Sequence, residues 1–258
     1  MNKVAFTIVL NGELFIERLY RIIAKNFDHW YVVEGVAKNI NCTKWCKEVS
    51  SDYHKNFLSI DYTTRFLDSI SRKNNVTVIR KKNKPWNGKL EMCNSFMPQI
   101  SNTLLMQIDV DEYWDDHTLS KIFEYCSQNN FFNAMQFRCN YYLGKNLIVD
   151  AKNCYGDMIW DWWRLWLIRN PTLFKSHEPP SLLHQPVQIS KEFTDKQGWR
   201  FDHFAYIHPS QVKFKEHFYG YKNALNSWNT LNSLNDYTNI SAHNYLPWIN
   251  TTCPLKKI

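Results

Sequence analysis

The chain has 258 residues, of which 44% are hydrophobic and 16% aromatic, with only 7 Gly and 9 Pro. This composition is typical of a globular protein with a sizeable core and excludes disordered and collagen-like chains. The net charge of +7 favours polyanionic partners such as nucleic acid, anionic lipid or nucleotide diphosphates, without choosing among them. The seven cysteines are scattered, with Cys42 and Cys46 as the only close pair, so we expect reduced, mostly buried thiols.

Targeting and membrane signals are missing from the sequence. No apolar run approaches the roughly 18 residues that a transmembrane helix needs. The opening "MNKVAFTIVLNGELF" lacks the long apolar core and the cleavage site of a signal peptide. We therefore expect a cytoplasmic protein without a transmembrane segment, for which peripheral contact with a membrane stays open.

Strands and helices alternate over the first half of the chain. Short β-branched or apolar runs predict four strands, at 3–10, 30–34, 76–80 and 103–109. Apolar residues at helical spacing predict helices at 12–27 with Asn11 as N-cap, at 61–73, at 88–100 with an interruption at Pro98, and at 119–129. This order predicts right-handed βαβ crossovers and a parallel sheet.

The second half has a different pattern. We predict strands with mixed faces at 133–143 and 162–170, a loop-rich segment at 171–200, a final amphipathic helix at 210–225 and an extended tail. Neither a repeat nor a linker is evident. We therefore expect one domain over 1–258, with halves 1–130 and 131–258 and an α/β fold whose N-terminal sheet is parallel.

The stretch "LLMQIDVDEYWDD", residues 104–116, ends a predicted buried strand in a cluster of carboxylates. In an extended chain, residues i and i+2 point to the same side, so Asp109 and Asp111 can converge on one point. Paired hard oxygen ligands suit Mg²⁺ or Mn²⁺. The alternative is a solvated turn before the next helix, with Asp115 or Asp116 as its N-cap. Ligands of parallel sheets bind beyond the carboxyl ends of the strands, where Glu34 and Asp109 both lie, which favours the metal.

The segment "QIDVDEYW", preceded by this βα order, resembles the Asp-x-Asp glycosyltransferases of the GT-A fold, closest to the family 2-like and family 17-like branches. Other stretches are similar in the expected order, over about residues 3 to 222. They are "FTIVLNGELFIERLYRII", "WYVVEGV", "WNGKLEMCNSF", "RLWLIRNPTLFKSHEPP" and "FDHFAYIHPSQVKFK".

The resemblance implies a Rossmann-like nucleotide-diphospho-sugar transferase fold and a metal-dependent, inverting hexosyl- or N-acetylhexosaminyl-transferase. The donor would be a UDP- or GDP-sugar, and Mn²⁺ or Mg²⁺ would offset the charge on the departing diphosphate. By this analogy Asp111 is the firmer metal ligand, Asp109 reaches the ribose or sugar and shares the metal, and His203 is a third ligand. The alternative for His203 is a structural histidine.

Other roles follow from the same resemblance. Glu34 would bind the base or ribose, Lys89 the donor hydroxyls or phosphate, and Asn94 lies close by on the same helix. His208 departs from the family pattern, in which a basic residue often stands at this position, and it would touch the diphosphate or simply cap the following helix. Transfer also needs a general base near the acceptor hydroxyl. Glu178 in "SHEPP" is the candidate, and the alternatives are His177, Asp157 and Asp161.

The run "MIWDWWRLWLI" contains several tryptophans, whose flat faces suit sugar rings, although large aromatics more often fill cores. Two further functions stay open: nucleotidyl or phosphoryl transfer at the same carboxylate–metal site, and non-catalytic carbohydrate binding. No P-loop sequence is present. We expect a glycan, a lipid-linked molecule or a protein as acceptor, and no nucleic acid.

Overall fold

The structure is a computed structural model that describes residues 1–39, 47–144, 147–149, 163–177, 180–237, 240–247 and 255–257. Its N-terminal half alternates strands with helices as the sequence predicts. The elements are β1 (Asn2–Val9), α1 (Ile16–Asn26), β2 (His29–Glu34), α2 (Thr63–Ile70), β3 (Val76–Ile79), α3 (Lys89–Asn94), β4 (Thr103–Gln107), β5 (Glu112–Tyr113) and α4 (Asp116–Gln128). Short 3₁₀ turns lie at Ser51–Tyr53 and Met97–Gln99.

Strands dominate the region after α4. The elements are β6 (Ala134–Gln136), β7 (Arg138–Tyr142), β8 (Leu147–Val149), β9 (Trp163–Ile168), β10 (Phe174–His177), β11 (Pro180–Leu182), β12 (Gln188–Ile189), α5 (Lys191–Lys196), β13 (Arg200–His203), α6 (Pro209–Tyr219), α7 (Ala224–Asn232), a 3₁₀ turn (Ala242–Asn244) and β14 (Leu255–Lys257). The described ranges contain no helix long and apolar enough to cross a membrane.

The larger sheet has the strand order β12-β6-β9-β4-β1-β2-β3. Strands β3, β2, β1 and β4 are mutually parallel, whereas β9 runs antiparallel between β4 and β6. From β1 the chain adds β2 and β3 on one side, and it then crosses to place β4 on the other side of β1. The point where the strand order reverses, the topological switch point, therefore lies between β1 and β4, and open α/β sheets bind their ligands at this point. An α/β fold with a mostly parallel sheet and mixed later strands is confirmed.

Side chains alternate across this sheet and fill two cores. On one face, Ala5, Val32 and Leu104 pack with the apolar stripes of α1, α2 and α4. On the other, Phe6, Val33 and Leu105 pack with residues of α3 and β10. Because both faces are covered, the strands are nearly continuous apolar runs, and polar side chains collect at the strand ends.

A second sheet has the order β14-β8-β7-β13-β5. Its edge strand β5 comes directly after the loop that follows β4, and it pairs antiparallel with β13, with His203 opposite Glu112. Strand β13 pairs parallel with β7 on its other side. This sheet carries the late histidine segment to the carboxylates after β4.

The start of α1 differs from the prediction. Asn11 is not its N-cap, because Asn11 adopts a left-handed backbone with φ 56° and the helix begins at Ile16. The Asn11 side chain instead bonds the 53–60 loop, donating to the Tyr53 carbonyl at 2.6 Å and accepting from the Ile60 amide at 2.9 Å. Long-range hydrogen bonds therefore replace the local cap.

Three predicted elements of the second half differ from the structure. The predicted strand 133–143 is interrupted at Phe137, and its two parts, β6 and β7, join different sheets. The predicted helix 210–225 ends at Gly220, a left-handed C-cap with φ 69°, and a further helix, α7, follows. The loop-rich segment 171–200 contains β10, β11, β12 and α5. Residue 162, at the start of the predicted strand 162–170, lies outside the described residues.

Candidate active site

The loop after β4 is anchored to β1 at the switch point. The Ile108 amide donates to the Phe6 carbonyl at 3.0 Å, and the buried Thr7 hydroxyl donates to the Ile108 carbonyl at 2.7 Å. A tight turn follows, in which the Glu112 amide donates to the Asp109 carbonyl at 3.0 Å. The α4 N-cap is Asp115, whose Oδ1 accepts from the amides of His117 and Thr118. Asp109 and Asp111 therefore remain in the loop and take no part in capping.

Asp109 is held by two neighbours. Its Oδ1 accepts from Gln107 Nε2 at 2.9 Å, and its Oδ2 lies 3.0 Å from Arg164 Nη2. Burial opposes ionisation of Asp109, but the Arg164 guanidinium and the Gln107 hydrogen bond outweigh it, so the pKa of Asp109 lies below its usual value. The Asp109 side chain is 32% exposed. It is thus an oriented carboxylate with one side open to a ligand.

Arg164 and Glu112 form a buried ion pair beneath the loop. The Glu112 carboxylate is fully buried and receives Arg164 Nε at 2.8 Å and Nη2 at 2.7 Å. Burial raises the pKa of Glu112 to about 7, with Asp109 adding to the rise and Arg164 opposing it. Arg164 thus joins Asp109 to Glu112 and fixes the loop to β9.

Asp111 faces the second sheet. Its Oδ1 lies 3.5 Å from His203 Nε2, and its carbonyl accepts from the Phe204 amide at 2.8 Å. Burial works against ionisation of Asp111, but His203 and then Lys215 overcome that effect and hold its pKa below the usual range. The two predicted metal ligands Asp111 and His203 therefore lie side by side at the junction of the two sheets.

Two lysines complete the charge balance. Lys89 begins α3, with its Nζ 5.5 Å from the centre of the Phe218 ring. Lys215 projects from α6, with its Nζ 4.8 Å from the Tyr206 ring. Burial lowers the pKa of Lys215, while the attraction of Asp111 and Asp109 raises it and the repulsion of Lys89 lowers it. Carboxylates and ammonium groups therefore share one site.

The carboxylates of the site fit one common way of binding a divalent ion. The described part of the chain contains no group of three or more His, Cys, Asp or Glu side chains arranged to hold a metal. Mg²⁺, however, is commonly bound by one or two protein carboxylates together with substrate phosphates and water. Asp111 and the open side of Asp109 fit that mode, whereas a closed protein cage does not form.

Glu34 is held by a separate set of partners. It is fully buried at the end of β2, where Oε2 is 2.6 Å from Arg80 Nε and Oε1 accepts from the Thr64 hydroxyl at 2.5 Å and the Ser59 amide at 3.3 Å. Both oxygens of Glu34 are engaged inside the protein. Its contact with the base or ribose stays a prediction, and the geometry favours a positioning role.

Asn94 and His208 also have structural partners. Asn94 bonds both backbone groups of Phe174, donating at 3.0 Å and accepting at 2.8 Å, which ties α3 to β10. His208 is exposed and caps α6 in a capping box with Gln211. His208 therefore has the cap role that was its predicted alternative. The hydrogen bonds named here join neither Asn94 nor His208 to Asp109 or Asp111.

Of the four candidate bases, His177 alone belongs to the described residues. Glu178, Asp157 and Asp161 lie outside the described residues. His177, at the end of β10, lies close enough to Asp109 to lower its pKa. In the tryptophan run, Trp163 and Trp166 are 5% and 0% exposed and belong to the core, while Trp162 lies outside the described residues.

Sequence reasoning missed several residues of the site, among them Glu112, Arg164 and Lys215. Arg164 carried a usable signal, because a single arginine within the apolar run of β9 must be paired if it is buried. Glu112 is the acid nearest to Asp111 in the sequence. Nothing local distinguishes Lys215 from the neighbouring lysine, Lys213, because only the packing of α6 selects one of them.

The likeness of this chain to known proteins is confined to solved structures. No family model and no curated protein matches the chain. Crystal structures of S. aureus TarS 1–349, alone and in complex with UDP, resemble it with 17% identity and a TM-score of 0.39, covering 56% of this chain and 37% of theirs. A longer TarS chain gives the same identity and TM-score and is covered to 23%. The chain thus matches well under two thirds of those chains, and the fold assignment above rests on its own strand order.

Proposed function

We propose that this chain is a metal-dependent glycosyltransferase of the GT-A type, a single domain that moves a sugar from a nucleotide-diphosphate sugar to an acceptor hydroxyl, with inversion. One observation carries the proposal: Asp109 and Asp111 follow β4 at the β1/β4 switch point, with Lys215 within their electrostatic reach. This is the place where open α/β sheets bind nucleotides. The resemblance of "QIDVDEYW" to Asp-x-Asp enzymes supports the same function.

The mixture of charges supports a ligand that combines anion and cation. Carboxylates alone would repel a diphosphate, and lysines alone would not need two aspartates beside them. A donor diphosphate accompanied by a divalent ion satisfies both sets, because phosphate oxygens meet the ammonium groups and the ion meets the carboxylates. When bound, Mn²⁺ or Mg²⁺ would act as a Lewis acid that stabilises charge on the departing diphosphate.

The two aspartates are suited to different tasks. Asp111 has His203 and Lys215 as its neighbours and would be the main carboxylate ligand of the ion, with His203 orienting it or joining it. Asp109 is oriented by Arg164 and Gln107 and would accept hydrogen bonds from hydroxyls of the donor sugar or ribose. Lys89 and Lys215 would hold the diphosphate and stabilise it as it leaves.

The general base is proposed to be Glu178, with His177 as the alternative. Proton removal by a positioned base typically contributes about 10²–10⁴-fold to a rate. Glu178→Gln should therefore lower kcat by that factor with a small change in donor KM, while His177→Asn should retain most of the kcat. The reverse pattern would assign the base to His177.

A panel of ligands tests the proposal. UDP-glucose, UDP-N-acetylglucosamine and GDP-mannose are added with Mn²⁺, with Mg²⁺ or with EDTA, and the thermal unfolding midpoint is measured. A ligand at about 100 times its Kd stabilises by about 2.7 kcal/mol. We expect stabilisation by at least one sugar nucleotide only with metal. A response to nucleoside triphosphates alone would favour nucleotidyl or phosphoryl transfer, and a response to glycans alone would favour a carbohydrate-binding protein.

A further inference from the structure

A polar pocket lies on the second sheet, whose strands β5 and β13 also carry Glu112 and His203 of the candidate active site. It has a volume of about 250 Å³. Its lining comes from the strands β5, β7 and β13, from the first turn of α4 and from the turn after α5: Tyr113, Asp115, Thr118, Asn140, Gly198, Arg200 and Asp202. None of these residues belongs to the site proposed above.

The strand register explains how the lining assembles. Asp202 pairs with Tyr113 on β5 and with Asn140 on β7, so these three side chains stand in a row on one face of the sheet. Arg200 lies two residues before Asp202 and shares that face. The neighbouring residues Glu112 and His203 point to the opposite face, toward the Asp111 loop and Arg164. The same two strands thus carry the pocket on one face and the candidate active site on the other.

The polar groups of the pocket are held in place. Asp202 Oδ1 accepts from Asn140 Nδ2 at 2.8 Å, Arg200 Nε bonds Asp195, and Asp115 is fixed as the α4 cap. The Arg18 guanidinium lies 5.5 Å from the Tyr113 ring centre. A carboxylate can accept about four hydrogen bonds, so Asp115 and Asp202 retain acceptor capacity for a ligand.

The charge and the size select a ligand class. The lining has two carboxylates and one guanidinium, Arg200, that is itself paired with Asp195. The Arg18 guanidinium beside Tyr113 is attracted to Asp202, so opposite charges are balanced around the pocket and no net charge selects a phosphate or a cation. Carboxylate, amide, guanidinium and hydroxyl groups around a small cavity suit a neutral ligand rich in hydroxyls. The volume falls below the ~300–1,000 Å³ of pockets for drug-sized ligands, which fits one sugar unit.

We propose that this pocket is a saccharide-binding subsite that holds one sugar unit of an acceptor extending around the edge strand β5, at a distance from the reacting hydroxyl. The assignment of the sugar to the acceptor rests on the proposed glycosyltransferase function, whereas binding itself does not. Because Tyr113 is two residues from Asp111 and Asp202 adjoins His203, an occupied pocket would also steady the strands that carry those side chains.

Saccharide binding can be measured without donor or metal. Saturation-transfer NMR is recorded with methyl glucoside, methyl galactoside, methyl mannoside and N-acetylglucosamine as probes, on the wild type and on variants that fill the pocket. Thr118→Phe places a ring in the pocket from α4. Gly198→Asn adds a side chain to the pocket lining without a clash, since no atom lies within 4 Å of an added Cβ there, and asparagine tolerates the φ of +75°. Ser120→Phe, at an exposed position of α4, is the matched control.

We expect at least one probe to bind the wild type and Ser120→Phe equally. The same probe should bind Thr118→Phe and Gly198→Asn at least tenfold more weakly. Thermal unfolding midpoints should confirm that all variants are folded. Asp111→Asn should keep probe binding while losing the donor response, which separates this inference from the proposed function. Absence of binding to the wild type, or undiminished binding to folded Thr118→Phe and Gly198→Asn, would overturn the inference.

Discussion

Replacement of Arg164 by methionine tests the buried charge cluster that supports the Asp109–Asp111 loop. Arg164 is 3% exposed and contacts Asp109 at 3.0 Å and Glu112 at 2.7 Å. Methionine keeps an unbranched apolar stem next to Phe201 but removes the charge. Glu112, which is fully buried, then keeps hydrogen bonds from the Asp109 amide and Trp114 Nε1, each at 3.3 Å, and the weaker attraction of His203. The substitution therefore leaves Glu112 in the core without its main partner, so that it is buried either as an unpaired carboxylate or after taking up a proton, and both are unfavourable.

Loss of one partner of a buried ion pair costs about 3–5 kcal/mol. With a urea m-value near 3 kcal/mol/M, at the upper end for small proteins, the unfolding midpoint of Arg164→Met should fall by about 1–1.7 M. Arg21→Met is the control: the Arg21 side chain is 78% exposed in a surface pair with Glu17, so its unfolding free energy should change by less than about 0.5 kcal/mol.

A second substitution separates charge from packing. Glu112→Gln combined with Arg164→Met removes both buried charges and keeps the shape of the acid, so at least half of the lost stability should return. Asp109, being 32% exposed, can be solvated in this double variant. A cost below about 1 kcal/mol for Arg164→Met, or a double variant as unstable as the single one, would refute the reasoning.

Three further predictions concern the surroundings of the site. Lys215→Met should raise donor KM about tenfold, or about 1.4 kcal/mol, without loss of thermal stability, whereas the exposed Lys213→Met should not change KM. Asn94→Ala should lower the unfolding free energy by about 1–3 kcal/mol through its two lost bonds to Phe174, measured in urea, with donor KM within twofold. The buried thiols Cys93, Cys126 and Cys139 should resist iodoacetamide in the native protein and react after unfolding, as mass spectrometry can show, because burial raises their pKa, that of Cys126 to about 12.

The parallel half of the fold could be predicted because its signals are local. Apolar runs and helical stripes between β1 and α4 set both the type and the order of the elements. The boundaries moved by at most four residues, except that α3 ends at Asn94, six residues before the predicted end. The start of α1 was missed because the Asn11 side chain bonds the 53–60 loop, about 40 residues away, instead of the helix. The break between β6 and β7 depends on which sheet each strand joins, which residue pattern alone does not contain.

The site could be predicted where strand ends define it and not where packing does. Asp109 and Asp111 follow from the end of β4, and His203 is brought to Asp111 by the β5–β13 pairing. Glu34 also follows a strand, but Arg80 closes over it. Lys215 enters the site through the packing of α6 alone.

The most direct test of the account is metal-dependent donor binding by the Asp111→Asn variant. Titration calorimetry with the sugar nucleotide that stabilises the wild type measures the donor affinity in the presence and in the absence of Mn²⁺. The account predicts that Mn²⁺ tightens donor binding to the wild type at least a hundredfold, about 2.7 kcal/mol, and that Asp111→Asn, which retains the shape of the side chain, loses this gain. Equal donor affinity and equal manganese dependence in the two proteins would contradict it.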